Sequence, residues 1–227
     1  MLRLFLFLIT LTLICGATTN IFNLKIFSQN EKKMSGVLVH KETSTGFTRN
    51  IKIFDESYNL IGESIEEFNK NSSPISVKKT NYLCPSQNQS IYFSNDNAKI
   101  IINNETINVS VPKNIAFGTG FFDKARSSLE QAMKGNESQI FILVPEKEDW
   151  FTLTPTRVEN ISYNDSKAIL LGIAPKSIII RIFVKEIIFI FDTSDKHKPL
   201  EFIGVLPFLN ADCKPIVGKI YFSEATQ

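Results

Sequence analysis

Short runs rich in Ile, Val, Phe and Thr recur along the whole chain, each bounded by polar or turn-forming residues. They fall at residues 22–27, 36–40, 51–54, 75–79, 90–93, 99–102, 106–111, 139–144, 150–154, 168–172, 177–184, 187–191, 200–205 and 218–222. Segments of this length and composition fit a pleated, half-buried surface and are too short for amphipathic helices. Many such strands with turn signals between them point to an all-β fold, an antiparallel β-sandwich or pair of sandwiches. The clearest alternation is Thr106-Ile107-Asn108-Val109-Ser110-Val111, with apolar side chains on one face and polar ones on the other. It is preceded by a hairpin turn expected at Asn104.

One segment has the period of a helix. Asp123 is placed to cap a helix over 124–134, with Gly135 just beyond its end. Ala125, Leu129, Ala132 and Met133 would then form one apolar stripe for packing. The stretch 178–191 is the most apolar part of the mature chain. It reads as a strand on each side of Lys185-Glu186, or one long bent strand, buried on both faces, since exposed it would be an aggregation hazard. Arg181, Lys185 and Glu186 interrupt it, so it does not qualify as a membrane span.

Two stretches echo each other. Ile53-Phe54-Asp55-Glu56-Ser57 is followed by Leu60-Ile61-Gly62, Cys84 and Ile91-Tyr92-Phe93-Ser94. Ile190-Phe191-Asp192-Thr193-Ser194 is followed by Leu200, Ile203-Gly204, Cys213 and Ile220-Tyr221-Phe222-Ser223. The expected organisation is therefore two related halves, 18–113 and 139–227, joined by a linker with the helix at 114–138. A hairpin turning at the Asp-x-Ser cluster would be the shared unit, because Asp and Ser side chains bond nearby backbone groups.

The first residues, Met-Leu-Arg followed by an apolar run and Cys15-Gly16-Ala17, have the parts of a secretory signal peptide spanning 1–17. Removing it leaves Cys84 and Cys213, an even pair expected to bridge in an oxidising compartment. Asn-x-Ser/Thr sequons stand at Asn71, Asn88, Asn104, Asn108, Asn136, Asn160 and Asn164, none with proline in the middle. With the leader they point to an N-glycosylated, secreted product, and each marks an expected surface position.

Lys plus Arg number 25 and Asp plus Glu 23; without Arg3 the balance is 24 against 23, or +1. Scattered charge of this kind argues against a nucleic-acid or anionic-membrane protein, which would need a basic patch. Catalytic motifs are missing: there is no Gly-x-Ser-x-Gly and no His-Glu-x-x-His. His40 and His197 are the only histidines, too few for a His/Cys zinc cluster, and no cofactor is implied. Asp192, Asp195 and His197 could hold a divalent ion, but a polar turn before Lys198-Pro199 explains the same residues. Gly118-Thr119-Gly120 could offer backbone N–H groups to an anion. Asp149 and Trp150, after an acidic run, could stack on and hydrogen-bond a sugar. The functional expectation is a non-catalytic extracellular module that binds a protein or glycan partner, with no transmembrane segment. The alternatives are a carrier of a small apolar ligand and a secreted hydrolase of unfamiliar type.

Overall fold

The computed structural model describes residues 18–29, 33–94, 96–144, 149–181 and 184–225; the expected leader lies outside them. The strands of the first part are β1 (Thr19–Ser28), β2 (Lys33–Glu42), β3 (Gly46–Phe54), β4 (Leu60–Asn69), β5 (Pro74–Asn81), β6 (Gln89–Phe93), β7 (Asn97–Ile102) and β8 (Glu105–Ser110). Those of the second are β9 (Ile115–Ala116), β10 (Ile140–Val144), β11 (Asp149–Tyr163), β12 (Ser166–Pro175), β13 (Ile187–Asp192), β14 (Pro199–Leu209) and β15 (Pro215–Glu224). Helix α1 (Gly120–Met133) lies between β9 and β10, and a single helical turn, α2 (Ile178–Arg181), follows β12.

All fifteen strands belong to one sheet, and β1 lies in its middle. From one side of β1 the chain meanders outward through β2 to β8; from the other the order runs β15, β14 and so on to β9. Neighbours are antiparallel except β9 and β10. The two ends of the chain thus meet, with Leu24 opposite Phe222 and Ile26 opposite Ile220. Strands β1 to β8 and β9 to β15 form two arms of one sheet, and the arms share a core. Leu24, Ile26, Leu38, Ile51 and Ile53 of the first arm pack in one cluster with Leu171, Ile173, Phe189, Phe202 and Ile220 of the second.

The two outer regions of the sheet also touch. Ile91, Ala98, Ile100 and Val109 of β6 to β8 form a second cluster with Leu143 of β10, and Trp150 of β11 packs against it. The Trp150 indole N–H donates to the Ser110 carbonyl at 2.7 Å.

The two tightest hairpins turn on an Asn-Asn and an Asn-Asp pair. Asn103 and Asn104 both have positive φ, 50° and 65°, between Ile102 and Glu105, which face each other. Asn164 and Asp165 do the same at 47° and 62° between Tyr163 and Ser166. Two-residue loops with both central residues left-handed match the twist of the flanking strands, and Asn and Asp tolerate that conformation best after Gly.

Helix α1 begins earlier than the sequence suggests. Its N-cap is Thr119, and Asp123 sits inside the first turn. The residues that dock it are Phe121, Phe122, Ala125, Ser128 and Leu129, whereas Met133 is 56% exposed. Phe122 makes edge contacts with Phe189, Phe202 and Phe222 at centroid distances of 5.6, 5.6 and 5.1 Å. That aromatic seat explains the early start, since edge-to-face packing of Phe122 adds to the apolar area it buries.

Three other expectations are corrected. Strand β4 was not visible in the sequence because its inward positions are Gly62, Ser64, Glu66 and Phe68 while Ile65 faces out, 45% exposed. The segment 177–184 is not a buried strand: its described part contains α2, with Ile178 and Ile179 77% and 71% exposed. Finally, β11 runs on to Tyr163, well past Thr154, with a bulge between Pro155 and Arg157 where proline interrupts the ladder.

Candidate functional site

A group of linked polar and ionisable side chains lies where α1 meets β2, β3 and β4. Three consecutive inward positions of β4 supply Ser64, Glu66 and Phe68, and the neighbouring strands supply His40 and Arg49. Glu66 is fully buried and accepts three hydrogen bonds: from the Thr119 N–H at 2.8 Å, from the Thr119 hydroxyl, and from the Ser64 hydroxyl at 2.8 Å. Its carboxylate therefore takes up the N–H of the N-cap residue, one of the orphan donors at the start of α1, and Thr119 makes no cap bond of its own. Burial pushes the Glu66 carboxyl above the ordinary range, and the bonds from Thr119 and Ser64 pull it back part of the way.

Gly118 makes this approach possible. Its φ is +53°, and a Cβ there would sit 2.3 Å from a Glu66 oxygen. The Gly118-Thr119-Gly120 loop does receive an anion at a helix N-terminus, and that anion is the chain's own carboxylate.

Beside it, the Arg49 guanidinium is held on three sides. It makes a two-pronged ion pair with Asp123 at 2.7 and 3.0 Å. It also donates to the Thr119 carbonyl at 3.1 Å and to His40 Nδ1 at 3.2 Å. It lies 4.7 Å over the Phe47 ring and 5.5 Å from that of Phe68. Arg126 adds a second partner for Asp123 at 2.9 Å. Burial, reinforced by Arg49, lowers the His40 pKa, so its ring is neutral where it accepts from Arg49. Acid, base and hydroxyl groups come together here, but each polar side chain of the group is hydrogen-bonded within the chain.

The other candidates are scattered. Asp149 is exposed and its carboxylate accepts from the Trp150 N–H, while Trp150 is half-buried with its indole N–H donated to Ser110. The acidic residues before Asp149 lie outside the described residues. Asp192 spends one oxygen on the Ser194 hydroxyl and the Ser194 and Lys198 N–H groups, and His197 Nδ1 lies 3.2 Å from the Asp192 carbonyl. Among the described residues no group of three metal-ligating side chains comes together.

Six sequon asparagines, Asn71, Asn104, Asn108, Asn136, Asn160 and Asn164, are exposed. Asn88 is half-buried and accepts from the Asn81 N–H at 2.6 Å. Cys84 and Cys213 form a disulfide across 129 residues, with Cα atoms 5.3 Å apart. It ties the loop after β5 to the loop between β14 and β15.

Between α1 and the middle of the sheet lies an apolar cleft with about 70 Å³ of free volume, lined among others by Leu24, Leu38, Ile53, Phe122, Phe202 and Val205. Sequence reasoning missed the Glu66–Thr119 and Arg49–Asp123 pairs. The only signal was a β-like stretch carrying Ser64 and Glu66 at alternate positions, which reads as surface until the helix is placed over it.

No family model matches the chain, and no curated protein matches it. Among solved structures, it is similar to a crystal structure described as a beta-barrel-like protein of a domain of unknown function, DUF1849, from Brucella abortus. The two share 8% identity and a TM-score of 0.43, over 92% of this chain and 98% of the other.

Proposed function

We propose that this chain is a secreted, N-glycosylated protein that acts by binding through its surface, without catalysis. The observation that carries the reading is the state of the buried polar cluster at the start of α1. His40, Arg49, Ser64, Glu66, Thr119 and Asp123 are consumed in fastening α1 to β2, β3 and β4, and a group already bonded on every side is poorly placed to attack or protonate a substrate. The bond between Cys84 and Cys213 fits an oxidising compartment, and the exposed sequons fit attachment of glycans there. The sheet is best read as a wall rolled around α1, because β6 to β8 pack on β10 and β11 through Trp150 and Leu143.

A second reading, a carrier of a small apolar ligand, rests on the cleft under α1. Its lining is almost wholly apolar, but its volume of about 70 Å³ is well below that of sites that enclose drug-sized ligands, roughly 300–1,000 Å³. A carrier would need α1 to swing out.

Native mass spectrometry of protein secreted from eukaryotic cells, before and after deglycosylation, tests both. The expected result is a chain beginning at Thr18, with at least three glycans, one disulfide and no passenger. An unprocessed, unglycosylated chain would end the secreted-glycoprotein reading. An apolar molecule retained at fixed stoichiometry would replace the binding module with the carrier.

A further inference from the structure

Two isoleucines of α2 are more exposed than the other large aliphatic side chains among the described residues. Ile178 and Ile179 are 77% and 71% exposed, the highest values among the large aliphatic side chains of the described residues, and Val184 beyond them is 40% exposed. They are held out by a fixed turn. The Arg181 N–H bonds the Ser177 carbonyl at 3.1 Å and the Val184 N–H bonds the Ile180 carbonyl at 2.9 Å. The Arg181 guanidinium reaches back to the Pro175 carbonyl and the Thr154 hydroxyl. Arg181 thus anchors the turn to β11 and β12 while its apolar neighbours face water.

Along the sequence the charge next to them has one sign. Between 176 and 185 the sequence holds Lys176, Arg181 and Lys185 and no carboxylate, although the chain as a whole is nearly balanced. Lys176 and Lys185 are exposed, one on each side of the apolar pair. The nearest acid in sequence, Glu186, is engaged by Arg157 at 3.1 Å and by the Thr156 hydroxyl. Two bare isoleucines between lysines suit an interface with an anionic upper layer and an apolar layer beneath: the alkyl groups enter the acyl boundary and the ammonium groups stay among the headgroups. A second copy of the chain is a poor occupant, because a symmetric contact would set three cations against three.

We infer that Ile178 and Ile179, with Lys176 and Lys185, form a docking tip for an anionic lipid surface. The inference goes beyond surface binding in general by naming the surface and the class of what it meets, and it does not depend on glycosylation.

Sedimentation of the purified protein with phosphatidylcholine vesicles, with and without phosphatidylserine, tests it. The protein is expected to bind the phosphatidylserine vesicles. Ile178→Ser/Ile179→Ser should weaken binding roughly 100-fold, about tenfold for each buried isoleucine. Lys176→Glu/Lys185→Glu should remove the preference for phosphatidylserine. Circular dichroism and Tm, unchanged in both exposed-site variants, control for folding. Absence of binding to either vesicle, or binding that survives the double serine change, overturns the inference. So does self-association in sedimentation equilibrium that the serine variant abolishes, which would make a second copy the occupant. Failure here alongside a clean, passenger-free glycoprotein mass would remove the lipid tip and leave the binding-module reading standing.

Discussion

The β3–β4 and β13–β14 hairpins begin alike and are used differently. In both, an Ile-Phe-Asp sequence ends the first strand and the ladder slips at the same place, between Ile53 and Phe54 in one and Ile190 and Phe191 in the other. In both, the aspartate folds the turn on itself. Asp55 accepts from the Ser57 and Asn59 N–H groups, and Asp192 from those of Ser194 and Lys198. Each returning strand then carries a buried glutamate, Glu66 on β4 and Glu201 on β14. There the likeness ends. Glu66 accepts from the N-cap residue of a helix and is sealed under it, whereas Glu201 lies 3.7 Å from the half-exposed Lys219 ammonium. β14 pairs directly with β15, while β5 separates β4 from β6. A similar local sequence makes a similarly bonded turn, although Phe54 pairs with Leu60 and Phe191 with the more distant Pro199, and the partners of each strand are set by what arrives from elsewhere.

The largest change should come from cutting the link between the two arms. Cys84→Ser/Cys213→Ser is expected to lower stability by about 4–5 kcal/mol on the chain-entropy account of a loop this long, read by denaturant titration under oxidising conditions. A loss under about 1 kcal/mol would mean the arms are held by the β1–β15 ladder and shared core alone.

Next come the two glutamates. Glu66→Ala leaves the Thr119 N–H and the Ser64 hydroxyl buried without their acceptor and should cost about 3 kcal/mol, against about 1 kcal/mol for Glu201→Ala. Equal losses would erase the distinction drawn between the hairpins.

The pH dependence separates them further. The folded-state pKa of Glu66 is raised, so the native state holds its proton more tightly than the unfolded chain. Stability from this group is fully present below the unfolded value of 4.5 and is lost as pH rises through the folded value. His40, with a lowered pKa, works in the other direction: its contribution is present above 6.5 and is lost as pH falls through its folded value. Glu66→Gln keeps an acceptor for Thr119 and can donate to Ser64, so it should flatten the acid side of the profile in thermal melts without the loss seen in Glu66→Ala. At the second hairpin the reporter is Tyr163, whose phenol is pushed up to about 12 by desolvation first and then by Glu201. Ultraviolet titration of Glu201→Gln should bring it down, though short of 10.0, since the burial remains. The smallest effects belong to the turns: Asp55→Ala and Asp192→Ala should each lower Tm by less than Glu201→Ala, and by similar amounts if the two turns are equivalent.

Much of this protein could be read locally. Alternation placed β8 and its outward Asn108, and the Asn-x-Thr at 104 coincides with a hairpin turn because asparagine accepts the left-handed backbone that a two-residue loop demands. The cysteine pair was legible as a bond once the leader was set aside. The echo around Asp55 and Asp192 foretold two similar turns, but it did not extend to the strands that follow. What stayed hidden depends on contacts distant in sequence. Only α1 lying over β4 turns Ser64 and Glu66 inward, and only the aromatic seat of Phe189, Phe202 and Phe222 starts that helix at Gly120. Ile178 and Ile179 read as core by composition, yet the chain turns there into a single helical turn that leaves both exposed. A sequence sets which faces of a strand differ and where a chain can turn. Which face is inside, and what a buried charge is paired with, depends on the element placed against it, and here that was decided by the helix and by β1 meeting β15 across the whole length of the chain.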